Sequence, residues 1–287
     1  MNGLLCINKP AGITSHDVVA AVRRTAGMRR VGHTGTLDPM ATGVLPILVG
    51  RATRAADFIT AEKKAYIAGF TLGIRTDTLD TEGEVTATSD KKATAEDILQ
   101  RLPQFLGEIS QIPPMYSAIK KDGVPLYKLA RAGLQAERAP RQVTIYALEL
   151  LDFDRESQKG TLHIHCSKGT YVRTLCDDLG ALLGSYATMH SLIRSENGTL
   201  TLEDCVDLAK LTKENIQDFV RPLDSVFSRY VSLFVTPEDC ARIKNGVSVS
   251  TGATEGETFR VYAEAEFLAL GQVRDGRLHI LKSFYEV

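Results

Sequence analysis

Apolar residues first gather at Leu4 to Asn8, a run with the length of a buried strand, and Ser15 follows as a candidate cap for a helix over residues 17–24. Val44 to Val49 makes a second apolar strand, Arg51 to Ile59 a short helix, and Ala65 to Leu72 a third strand. Thr94-Ala95-Glu96-Asp97, followed by Ile98, Leu99, Leu102 and Leu106, combines an acidic first turn with helical spacing. Val143 to Leu151 and Thr161 to Ser167 read as strands. On the second, Leu162, Ile164 and Cys166 share one face and His163 and His165 the other. Ser167-Lys168-Gly169-Thr170 then turns the chain into a helix from Tyr171 to Leu183, with Arg173 at its start.

Residues 110–140 follow no period. Ile112-Pro113-Pro114-Met115-Tyr116 interrupts regular structure and Lys120-Lys121-Asp122-Gly123 reads as an exposed turn, which suits either an arm lying on a partner or a long surface connection. Past residue 228 the character changes. Thr236-Pro237-Glu238-Asp239 opens a helix that Asn245-Gly246 ends, and short alternating segments follow at Thr258–Ala263, Phe267–Val273 and Leu278–Ser283. The pattern predicts an α+β fold: a mixed, largely antiparallel central sheet flanked by helices over residues 1–228, and a small β-rich domain over 229–287.

Composition narrows the class. The 287 residues are 24% charged and 44% hydrophobic, in the globular range. Five cysteines form no Cys-x-x-Cys pair, so neither a zinc site nor a disulfide framework is suggested, and a reducing cytoplasm is the expected compartment. There is no signal-peptide pattern and no apolar run of membrane-spanning length. His163 and His165 lack a third metal ligand and read as part of a polar sheet face. Net charge is −1, but residues 1–60 hold seven Lys/Arg against three Asp/Glu, and residues 111–145 hold six against two. Two basic segments in a near-neutral chain are the footprint of phosphate contact.

The stretch with most chemical content is Gly32-His33-Thr34-Gly35-Thr36-Leu37-Asp38-Pro39-Met40-Ala41-Thr42-Gly43. Glycines open unusual backbone angles and Pro39 fixes the chain after Asp38, so the loop aims one carboxylate. A turn in which Asp38 bonds only its own backbone is the ordinary alternative. No Gly-Lys-Ser/Thr follows, which excludes a Walker-type phosphate loop.

Six segments in order resemble the TruB family of tRNA pseudouridine synthases: Lys9-Pro10-Ala11-Gly12-Ile13-Thr14-Ser15-His16-Asp17, the Gly32–Gly43 loop, Lys64-Ala65-Tyr66, residues 72–80, Pro113-Pro114-Met115-Tyr116-Ser117-Ala118, and Cys166-Ser167-Lys168-Gly169-Thr170-Tyr171-Val172-Arg173. The resemblance implies the pseudouridine synthase fold with a PUA-like C-terminal domain. It implies Asp38 as the catalytic aspartate, Tyr66 as the residue that stacks on the target base and handles its C5 proton, and Arg173 as the partner of Asp38. His33 would hold the flipped nucleotide, Leu192 would wall the pocket, Asp80 would support it, and Lys9 and Lys168 would contact substrate.

The implied activity is conversion of a uridine at tRNA position 55, in the T-arm, to pseudouridine, by a monomer using no cofactor or metal. Asp38 could attack C1′, attack C6 or take a sugar proton. Two departures stand out. Ile193 occupies a position where the family commonly shows a second arginine, implying one contact fewer there. Residues 229–287 carry seven Lys/Arg against eight Asp/Glu, a poor electrostatic surface for RNA. A tRNA-binding protein without chemistry is the competing reading, and an aspartyl hydrolase lacks its Asp-x-Asp-x-Thr pattern.

Overall fold

The computed structural model describes residues 1–60 and 63–285. In chain order the first half contains β1 (Gly3–Lys9), α1 (Ser15–Ala26), β2 (Val31–His33), β3 (Thr42–Val49), α2 (Ala56–Thr60), β4 (Lys64–Leu72), β5 (Ile74–Thr76), β6 (Val85–Thr88) and α3 (Ala95–Arg101). Then come β7 (Gly107–Gln111), β8 (Lys120–Lys121), β9 (Val124–Pro125), α4 (Leu126–Arg131), β10 (Arg141–Asp154), β11 (Lys159–Cys166), α5 (Val172–Leu182), β12 (Ala187–Asn197), β13 (Leu200–Thr201) and β14 (Val206–Asp207). The C-terminal part has β15 (Val231–Phe234), α6 (Pro237–Lys244), β16 (Val249–Ser250), β17 (Thr258–Ala263), β18 (Glu266–Arg274) and β19 (Arg277–Ser283).

Ten strands form one sheet whose main path runs β14-β1-β3-β12-β4-β11-β10-β7, with β2 beside β3 and β13 beside β12. Among the described residues of this sheet only the β1/β14 and β3/β12 contacts are parallel, so it is mixed and largely antiparallel. Its inner strands read as continuous apolar runs because both faces are covered. Leu5 and Ile7 pack toward α1, α3 and α5, while Leu4 and Cys6 pack with Leu223, Phe227, Leu270 and Phe284 on the other side. Phe227 meets Phe58 edge-on at 5.9 Å and stacks on Phe284 at 6.0 Å, joining the second, five-stranded sheet (β15-β17-β18-β19-β16) to the first through one apolar cluster.

Several boundaries differ from those the sequence predicts. Thr14, not Ser15, caps α1, in a reciprocal capping box with Asp17. The predicted helix from Arg51 begins as a 3-10 turn over Gly50–Ala55. The Asp38 loop lies between the two strands of a β2/β3 hairpin rather than between a helix and a strand, because β2 is only three residues long and carries no apolar pattern. Of residues 72–80, Leu72 ends β4, Ile74–Thr76 form β5, and the rest begin the turn of its hairpin with β6. Between β7 and β10 the chain is neither wholly arm nor wholly loop: it holds the small β8/β9 hairpin and α4.

Gly43 sits where β3 meets β12. Its φ is +101°, and a Cβ there would collide with the backbone carbonyl of Arg194, which cannot swing aside as a side chain could. Gly43→Ala is therefore expected to destabilise the fold by about 1–3 kcal/mol or more, and urea denaturation measures it.

Candidate active site

The Asp38 loop leaves β2 with Thr34 N donating to the Pro46 carbonyl, and it is anchored by the buried side chains of Leu37 and Ala41 on either side of the aspartate. Two residues from the N-terminal segment hold its backbone. Ser15 Oγ accepts from Leu37 N at 2.9 Å and donates to Leu37 O at 3.1 Å. Lys9, expected at the substrate, is instead fully buried, and its ammonium donates to the carbonyls of Pro10, Pro39 and Ala41 at 2.9, 3.0 and 2.7 Å. Those three bonds use all its donors, so Lys9 braces the loop. Burial pushes its pKa down to about 8, with Asp38 the strongest opposing influence.

Arg173, on the first turn of α5, spends its whole guanidinium on this region. Nε meets Asp38 Oδ2 at 3.0 Å and Nη2 meets Oδ1 at 3.2 Å, a two-point grip. Nη2 also donates to the Tyr116 carbonyl at 2.9 Å, and Nη1 to the Thr78 carbonyl at 2.9 Å and to Asp80 Oδ2 at 3.3 Å. Asp80 is buried and accepts from the Thr78 hydroxyl and from Glu82 N. The start of α5 is itself fixed by buried Gln111, whose amide donates to Tyr171 O and accepts from Tyr171 N. Side-chain exposure is 5% for Arg173 and 33% for Asp38, so the pair is covered from the arginine side and open from the aspartate side. Burial raises the Asp38 pKa above the ordinary carboxylate value and the charge of Asp80 adds to this, while Arg173 and Lys9 pull it down.

Tyr66 on β4 lies opposite Arg194 on β12, and Ala68 opposite Leu192. Side chains two apart on a strand share a face, so Leu192, Arg194 and Tyr66 line one surface and Ile193 points away from it. Arg194, 1% exposed, donates through Nε to Val44 O at 2.7 Å and through Nη2 to Gly35 O at 3.1 Å. Burial raises the Tyr66 pKa, with Arg194 opposing most strongly. His33 packs edge-on against His16 at 5.2 Å, and its Nδ1 is sealed without a hydrogen-bond partner. Burial drives its pKa down to about 4, so the ring is neutral at pH 7. Lys168 stands exposed on the turn before α5.

Asp38, Arg173 and Asp80 are thus brought into contact, with Tyr66, Leu192 and His33 on the adjoining surface. Sequence reasoning missed Ser15 as a clamp, Gln111 and Arg194. Period-two spacing from Leu192 was a usable signal for Arg194. No spacing pointed to Gln111.

The site is thus a loop-borne aspartate held by a buried arginine beside a mixed sheet. The chain superposes on the structure titled "Crystal Structure of a Cbf5-Nop10-Gar1 Complex" with a TM-score of 0.75 at 23% identity, covering 99% of this chain and 85% of that one. Residues 23–172 match the TruB family pseudouridylate synthase N-terminal domain, and residues 173–228 the tRNA pseudouridylate synthase B C-terminal domain. The chain is 42% identical to tRNA pseudouridine synthase B of Clostridium kluyveri over 99% of its own length and 100% of that protein's. It is 44% identical to the protein of the same name from Syntrophotalea carbinolica, over 86% and 81% of the two. This chain belongs to the TruB family.

The Ser15 clamp generates a test. Ser15→Ala leaves the buried amide and carbonyl of Leu37 without this partner, which should cost about 1–3 kcal/mol in urea denaturation. Because the residue next to Asp38 is the one released, single-turnover activity should fall while tRNA affinity holds.

Proposed function

We propose that this chain isomerises the T-arm uridine at tRNA position 55 to pseudouridine, acting as a cytoplasmic monomer without metal or cofactor, with Asp38 as the reacting carboxylate. The observation that carries the reading is the two-point grip of Arg173 on a half-open Asp38. A carboxylate that merely stabilised the fold would gain nothing from an open side, whereas a nucleophile or base needs one. In its ionised state Asp38 attacks C1′, attacks C6 or removes a sugar proton to assist glycal formation. The N1–C1′ bond breaks, the base turns, and C5 joins C1′.

In this reading Tyr66 stacks on the extruded base and takes the C5 proton, Leu192 walls the pocket, and neutral His33 holds the flipped nucleotide. Asp80 sets the height of Arg173. Extruding a base costs a few kcal/mol, and stacking returns about 1–3 kcal/mol. Phosphate contacts supply more: Arg24, Arg29 and Arg30 on one side of the loop, Lys120, Lys121, Lys128 and Arg131 in the 110–140 insertion, and Lys168 are exposed. We assign catalysis to residues 1–228 and a separate PUA-like unit to 229–287.

The test is tritium release from tRNA transcript labelled at C5 of uridine. Asp38→Asn should abolish release while tRNA binding persists, and one new pseudouridine should map to the T-arm with the intact protein. Binding without release by either form would leave an RNA-binding protein.

A pH profile checks the electrostatics. Asp38 reacts ionised, and burial raises its pKa, so protonation shuts the reaction on the acid side. Single-turnover rates should fall at a pH above the ordinary 3.8 of an aspartate. A profile flat down to that value would contradict the assignment.

A further inference from the structure

The cations around the site are unequal. Arg173 is paired with two carboxylates and Lys9 is consumed by three carbonyls. Lys64, two residues before Tyr66 on β4, donates to Thr60 O. Arg194 is as deeply buried as any of them, yet among the described residues no carboxylate lies within ion-pair distance of it. Its bonds go to two neutral carbonyls, and Nη1 takes part in neither. A buried guanidinium with no counter-charge is costly, so the fold carries a positive charge here that its own side chains leave uncompensated.

The position of that charge is specific. Val44 O and Gly35 O lie just beyond the two ends of the Asp38 turn, and the residue across the strand pair is Tyr66. The charged and titratable groups that act most strongly on Tyr66 are Arg194 from β12, Cys166 from the end of β11 and Asp38 from the loop, with Lys64 on the same face of β4 bonded to Thr60 O. Of the first three, Arg194 alone favours a negative oxygen on the ring. We propose that Arg194 is a positioning residue for proton transfer: anchored on both ends of the Asp38 loop, its guanidinium sits against Tyr66 and stabilises the phenolate that accepts the C5 proton.

The inference rests on the assignment of that proton to Tyr66 made above. Once the base has rejoined the sugar, C5 carries both its hydrogen and the new bond to C1′. The C5–H bond breaks, the proton moves to the Tyr66 oxygen, the electron pair of that bond forms C5=C6, and the C6=N1 π pair moves onto N1, which takes up a proton from water. The phenol then gives its proton to water.

The experiment is single-turnover pseudouridine formation across pH, on tRNA with protium or deuterium at C5 of uridine, with Arg194→Gln, Arg194→Lys and Tyr66→Phe. Arg194→Gln should lower the rate about 100-fold, move the alkaline dependence to higher pH and enlarge the C5 isotope effect, with tRNA affinity unchanged. Arg194→Lys keeps the charge and should keep the pH dependence near that of the parent. A loss equal at every pH with an unchanged isotope effect would make Arg194 a brace only and overturn the proposal. Should Arg194→Gln fail to fold, Arg194→Lys decides: a shifted pH dependence despite the retained charge overturns the proposal and an unshifted one supports it. Tyr66→Phe with a parental rate and isotope effect would instead remove Tyr66 as the proton acceptor, and the proposal with it.

Discussion

The grip of Arg173 on Asp38 and Asp80 organises the site, because one guanidinium must answer a buried carboxylate, a half-open one and two backbone carbonyls at once. Removing the arginine would leave the carboxylates facing each other without a cation between them, with the larger cost falling on buried Asp80 and a smaller one on Asp38, which solvent screens on its open side. The same fork geometry leaves Asp38 little rotational freedom. A carboxylate held in one rotamer and open on one side loses little orientational entropy when a nucleotide arrives, which is how preorganisation lowers a barrier.

That grip works only if the loop and the helix stay in register, and the chain secures them from distant points. Ser15 and Lys9 hold the loop backbone from the N-terminal segment, Arg194 holds its ends from β12, and Gln111 holds the start of α5 from β7. All four donor residues are buried and polar. Each spends its hydrogen bonds on backbone, so each acts as a tie between sheet and site rather than as a contributor to the apolar core.

This division explains what could be read from the sequence. The strands β1, β3, β4 and β11 and the helices α1 and α5 were legible because apolar runs and helical spacing mark them, and the C-terminal strands because glycines separate alternating segments. Strand β12, at the centre of the large sheet, was legible only as a motif: Thr188, Arg194 and Asn197 are buried there, so its composition breaks the apolar pattern that signals a central strand. Ser15 was misread as a cap because Thr14 and Ser15 are chemically equivalent for that role and only the approach of Leu37, 22 residues on, separates them. Lys9 was placed at substrate by the resemblance alone, and two of the carbonyls that take its donors come from the Asp38 loop, 30 and 32 residues further on. His163 and His165 lie half-buried on the sheet's other face with their rings 4.7 Å apart, His163 leaning 3.9 Å from Glu149, as part of a polar surface.

Charge within the site is arranged in a direction. Asp38 brings an anion to Tyr66 from the loop, and Arg194 brings a cation from the neighbouring strand. The two charges reach the ring from separate elements, so displacing either the loop or β12 changes the field at the tyrosine oxygen. Of the three basic side chains that serve the loop, Arg173 is paired with carboxylates while Lys9 and Arg194 donate to backbone carbonyls, and Arg194 is the one that faces Tyr66 across the strand pair.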